Sequence, residues 1–95
     1  MVRLSWSKRS ADDLYNIYEY ISRDSIHYAK IQVKRIKERT TILLSSPKIG
    51  RIVPEKENDN IRELVFGNYR IVYKIASEEN IVIITIHHSR KILKI

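Results

Sequence analysis

Cysteine is absent, so no disulfide can form and no thiolate can bind a metal. Glycine and proline occur only twice each, as Gly50, Gly67, Pro47 and Pro54. That scarcity excludes a Gly-rich phosphate loop and a low-complexity linker, and it makes each of the four a strong punctuation mark. No apolar run approaches the roughly 18 residues of a membrane span. The N-terminus, Met1-Val2-Arg3-Leu4-Ser5-Trp6, lacks the long apolar segment of a secretory signal, which predicts a cytoplasmic protein. Three histidines, His27, His87 and His88, without metal-ligand spacing predict neither a metal site nor a bound cofactor.

Present instead is positive charge. The 95 residues carry a formal net charge of +7, which favours polyanions or an acidic protein partner. Residues 1–50 hold 10 basic and 5 acidic side chains and residues 51–95 hold 8 and 6, so the excess sits mainly in the first half. The length predicts one domain over residues 1–95 with a modest core.

The strongest local signal is Ile61–Ile75, where two runs rich in β-branched and aromatic residues flank Gly67-Asn68. Such a pair reads as a β-hairpin with a type I′ or II′ turn. The turn sets Phe66 opposite Tyr69, Leu64 opposite Ile71 and Arg62 opposite Tyr73. Strand alternation then places Leu64, Phe66, Ile71 and Tyr73 on a core face, and Ile61, Glu63, Val65, Arg70, Val72 and Lys74 on a charged one. Glu63 and Arg70 sit close enough there for a cross-strand ion pair. Arg62 reads as a residue whose stem packs while its head pairs.

Val2, Leu4 and Trp6 alternate as an opening strand. Ser7 or Ser10 can cap a helix that ends near Ser22–Asp24, with Ala11, Leu14, Tyr15, Tyr18 and Ile21 as its apolar face. Asp24 or Ser25 can cap a second helix, whose stripe Ala29, Val33, Ile36, Thr40, Leu43 and Leu44 runs on to Ser45-Ser46 before Pro47 ends it. Lys48–Asn60 reads as a loop, and Ile81–Ile86 as a central strand buried on both faces. The predicted fold is α+β, in the order βααβββ: an N-terminal strand, a helical hairpin packed on one face of the sheet, and a three-stranded antiparallel meander.

The order of short motifs along the chain carries a resemblance. Trp6-Ser7, Ala11-Asp12-Asp13-Leu14, Tyr20-Ile21, Ala29, Pro47-Lys48-Ile49-Gly50-Arg51, Pro54-Glu55, Ile61-Arg62-Glu63-Leu64, Tyr69-Arg70-Ile71-Val72-Tyr73 and His87-His88-Ser89-Arg90 span nearly the whole sequence. The chain resembles the RelE/ParE superfamily of toxins from type II toxin–antitoxin modules, nearest to the ParE-like branch. The resemblance implies a cytosolic growth inhibitor neutralised by a cognate antitoxin encoded beside it, with either DNA gyrase or the ribosome with its mRNA as target.

ParE-like members poison gyrase and catalyse no reaction. The longer helical hairpin, Gly50-Arg51 and His87 with Arg90 match that branch and imply Arg51, Arg62, His87 and Arg90 as target-binding residues. In the RelE pattern two lysines precede the Tyr-Arg motif, and Ile61 and Glu63 stand at those positions here. The YoeB-like pattern of a ribosome-dependent ribonuclease matches at Glu55, Arg70 and His88. It implies a general base, a phosphate clamp and a general acid respectively. A homologue that has lost toxicity and only binds an antitoxin is a third reading.

Overall fold

The computed structural model describes residues 1–88. Within them β1 (Arg3–Trp6) leads into α1 (Lys8–Ser22), α2 (Ile26–Thr40) and a 3₁₀ turn at Thr41–Leu44. The strands β2 (Arg51–Ile52), β3 (Ile61–Phe66), β4 (Tyr69–Ser77) and β5 (Asn80–His88) follow. The sheet order is β1-β5-β4-β3-β2, with β1 parallel to β5 and every other pairing antiparallel.

Both helices start where short polar side chains meet orphan backbone donors. Ser7 Oγ accepts from Ser10 N at 3.1 Å and Ser25 Oγ from Tyr28 N at 3.1 Å. Helix α2 stops at Thr40, earlier than its apolar stripe suggests. Thr40, Thr41 and Ser45 each donate a hydroxyl to the carbonyl three residues back, and the last turn tightens to 3₁₀ before Pro47.

The hairpin adopts the predicted register, with Phe66 opposite Tyr69, Leu64 opposite Ile71 and Arg62 opposite Tyr73. Gly67 has φ +56° and no other described residue has positive φ, which matches the first central position of a II′ turn and excludes I′. Leu64, Ile71 and Tyr73 enter a core with Leu14, Ile36, Leu43, Ile81, Ile83 and Ile86.

Two further expectations need correction. The first helix turns Ser10 and Leu14 inward with Ile17 packed behind them, while Ala11 is exposed and Tyr15 is 54% exposed. The exposed Tyr15 side chain hydrogen-bonds Glu19 one turn on instead. Residues 51–52, read as loop, form the edge strand β2. Strand β5 lies between β1 and β4, as its apolar run predicts, and carries a bulge: Val72 lies opposite Thr85 but Tyr73 opposite Ile83, so Ile84 is an extra residue. The bulge lets Ile83 and Ile86, three apart, share the core face and turns Thr85 to the other one.

The bulge sits where β1 ends. Ser7 N donates to Ile83 O at 3.0 Å and Ser7 Oγ to Ile84 O at 2.8 Å, so the residue that caps α1 also fastens it to β5. Among the described residues no helix is long and apolar enough to cross a membrane.

Candidate functional site

The sheet face away from the core carries the charged residues, and its centre is Glu63. Across the sheet, Arg51 on β2 faces Glu63 on β3, Glu63 faces Val72 on β4, and Val72 faces Thr85 on β5. Two residues along, Val65 faces Arg70 and Arg70 faces His87. The Glu63 side chain is fully buried and is met by both arginines. Arg51 Nε donates to Oε1 at 2.5 Å and Arg70 Nε to Oε2 at 2.7 Å, while Arg70 Nη2 also pairs with Oε2. Burial of a carboxylate costs several kcal/mol unless charge and hydrogen bonds compensate, and two guanidinium groups supply both.

Glu55 reaches the same centre from a turn in which Lys56 N donates to Val53 O. Its carboxylate stands 3.6 Å from Arg70 Nη2 and is 48% exposed. Arg70, only 14% exposed, is thus held by two carboxylates, one fixed and one at the surface. Arg51, 67% exposed, presents the rest of its guanidinium to solvent.

The loop before β2 is pinned from below. Gly50 N donates to the Tyr73 hydroxyl at 3.0 Å, and that hydroxyl donates to Pro47 O at 2.6 Å. A Cβ on Gly50 would come within 2.6 Å of both the Glu63 carbonyl oxygen and the Tyr73 hydroxyl, so only glycine permits this approach. Arg62 is part of the same brace. Its Nη1 donates to Gly50 O at 3.0 Å and Lys48 O at 3.3 Å, and its Nε to Asp59 O at 2.9 Å. Its head therefore binds loop carbonyls, which gives Arg62 a structural task on the core side of the sheet. Burial pushes the phenol of Tyr73 above its ordinary value, opposed by the Gly50 hydrogen bond and the nearby Arg62 charge.

The two terminal histidines of β5 diverge. His87 lies across from Arg70 on the charged face, whereas His88 lies across from Tyr69. The His88 ring meets the Tyr69 ring edge-on with centroids 5.8 Å apart. The structure therefore brings Glu55, Arg70, Arg51 and His87 to one face and leaves His88 on the other. Arg90 lies outside the described residues. Among the described residues no group of three or more His, Asp or Glu side chains is placed to hold a metal ion.

The sequence reading missed two residues of this face. Thr85, fully buried, donates its hydroxyl to Asp13 Oδ2 at 2.5 Å and lies 3.4 Å from His87 Nε2. Asp13 Oδ2 also accepts from Ile86 N at 3.0 Å, serving the edge of β5 that β1 leaves open. The signal was available: Thr85 is the sole polar residue in the run Ile81–Ile86, and a buried hydroxyl requires a partner.

On the helix side, Leu4, Trp6, Tyr15, Tyr18 and Val33 line an apolar groove of about 680 Å³ between β1, α1 and α2. The outer edge of β1 beside it has no strand partner among the described residues.

No curated protein sequence matches this chain. Among solved structures, one described as the chromosomal ParDE TA system from P. aeruginosa is similar, with a TM-score of 0.76 at 24% identity over 93% of this chain and 96% of that one. At that identity the likeness concerns the fold. The family model described as the ParE toxin of the type II toxin-antitoxin system, parDE, matches residues 4–93, and the chain therefore belongs to the ParE toxin family.

Proposed function

We propose that the chain is a growth-inhibiting toxin that acts by binding DNA gyrase rather than by breaking a bond, and that a cognate antitoxin neutralises it. One observation carries the choice of mechanism. A phosphate clamp needs a guanidinium open to the phosphate. Arg70 is instead held by buried Glu63 and by Glu55. His88, the acid of the ribonuclease pattern, sits on the opposite face from both. Charge–charge pairing of this kind suits a residue that shapes a contact surface. Exposed Arg51, and His87 beside Arg70, are the groups this face offers a target.

The antitoxin contact is assigned to the groove along β1, α1 and α2. Its aromatic lining suits the apolar side of an amphipathic segment, and the β1 edge, without a strand partner among the described residues, suits strand addition. The net charge of +7 favours an acidic partner. The second reading, mRNA cleavage, draws on Glu55 and His87 flanking Arg70 on one face.

A supercoiling assay separates the two readings. Purified chain added to gyrase, relaxed plasmid and ATP should block supercoiling, and E55Q should block it equally. Ribosome-bound mRNA should stay intact under the same amounts of protein. Cleaved mRNA with unimpeded gyrase would overturn the proposal. Copurification with the product of the adjacent gene, lost on Trp6→Glu, tests the antitoxin surface.

A further inference from the structure

Aromatic rings and arginines meet where the β3–β4 hairpin passes α2. Phe66 and Tyr69 lie opposite each other beside the turn, on the face that the helices cover. The His88 ring stands edge-on against Tyr69, its partner across to β5. Burial raises the pKa of Tyr69, and the phenols of Tyr28 and Tyr20 add to the rise. Three tyrosines from three elements therefore stand close together. Tyr20 is 71% exposed and Tyr28 51%, so neither ring is occupied by the core.

Past Phe66 the groove turns basic. Arg35, Glu38, Arg39 and Ile42 line it together with Phe66, around a volume of about 320 Å³. Tyr28, Arg35 and Arg39 stand at i, i+7 and i+11 on α2, which keeps all three within about 20° of one line along the helix. Neither arginine has an ion pair among the described residues. Glu38 is paired with Lys34 one turn back, at 3.9 Å. The charge left over in the groove is therefore that of the two arginines.

We propose that this groove binds single-stranded DNA, with unpaired bases stacked on Tyr20, Tyr28 and Tyr69 and backbone phosphates paired with Arg35 and Arg39. Every base has a flat face that a tyrosine ring can take, and arginines replace the counterions condensed on a strand. A duplex hides those faces in its own stack, so the strand must be open. An acidic peptide would meet the arginines but bring no flat partners for the three rings. The net charge of +7 steers a polyanion toward the groove. The choice of DNA over RNA rests on the gyrase reading, since gyrase works on DNA. The groove shares no lining residue with the one along β1, α1 and α2.

Fluorescence anisotropy of a labelled oligothymidine, titrated with the full chain, tests this without gyrase. Tyr69 packs against the core, so the exposed Tyr20 and Tyr28 are the residues to vary. Y20A and Y28A should each weaken binding about tenfold, the loss of one stacked base. Y20F and Y28F keep the ring and should bind as wild type does. R35Q and R39Q combined should flatten the slope of log affinity against log salt by about 1.4, the share of two phosphates on a single strand. Full binding by Y20A and Y28A, an unchanged salt slope, equal affinity for the duplex, or tighter binding of oligouridine or oligoglutamate would each overturn the inference. Supercoiling inhibition by the wild type reports on the gyrase reading alone. A chain that binds oligothymidine in this manner but leaves gyrase unimpeded would reject that reading while the groove assignment stands.

Discussion

Glu63 shows how one buried charge organises a surface. Its carboxylate is paired twice, yet the two partners differ in exposure: Arg70 is largely covered and Arg51 mostly in water. Removing the acid leaves the largely covered Arg70 with only half-exposed Glu55 at 3.6 Å, whereas removing Arg51 deletes a partner that solvent already screens. Glu63→Ala should therefore destabilise by about 3–5 kcal/mol, and Arg51→Ala by no more than about 1 kcal/mol. Urea titration of both variants checks the contrast, and equal losses would refute it. Tyr73→Phe deletes an acceptor for buried Gly50 N and a donor to Pro47 O. The orphaned donor alone should cost about 1–3 kcal/mol.

Tyr73 also predicts a pH limit. Its phenol pKa is raised in the folded chain, chiefly by burial. A raised folded value means the native state holds the proton more tightly, so this contribution is complete below the unfolded value of about 10 and is lost as pH rises through the folded one. Tyrosinate absorbance and circular dichroism followed together should show Tyr73 ionising only as the fold is lost. Full ionisation of all six tyrosines with the dichroism intact would contradict this.

At the scale of elements, the joint between β1, α1 and β5 does more than a helix cap. Ser7 accepts from Ser10 N and donates to Ile84 O, while Ser25 only caps α2. Ser25→Ala should cost about 1 kcal/mol, near the usual value for a lost cap. Ser7→Ala should cost about 1 kcal/mol more, because it also strips a carbonyl at the bulge of its donor. Thermal unfolding of the pair tests the ordering.

Here the sequence was legible wherever a local rule acts alone. Gly67-Asn68 set the hairpin register, and Ser7 and Ser25 were among the named caps. It was illegible where a distant strand decides. Nothing local marks Arg51–Ile52 as a strand, because the β3 edge supplies its partner. The Ile84 bulge likewise depends on where β1 ends. The site divides the same way. Glu63 with Arg70 followed from the hairpin, whereas Asp13 and Thr85, 72 residues apart in sequence, meet only through the fold.

At the scale of the molecule, a ParE-family chain of net charge +7 presents two unlike faces. One is an apolar groove along the helices beside a β1 edge with no strand partner among the described residues, and the other is a sheet face whose arginines are tied to buried Glu63. Two faces permit an antitoxin on one and a target on the other. Neither task requires a bond to be broken.

The decisive measurement is a short pulse of expression in bacteria, with labelled thymidine and labelled amino acids followed side by side. Poisoning of gyrase predicts that DNA synthesis falls first, with protein synthesis spared at early times and E55Q as potent as wild type. An early fall in protein synthesis with DNA synthesis intact, abolished by E55Q, would contradict the account and return Glu55 and Arg70 to catalytic roles.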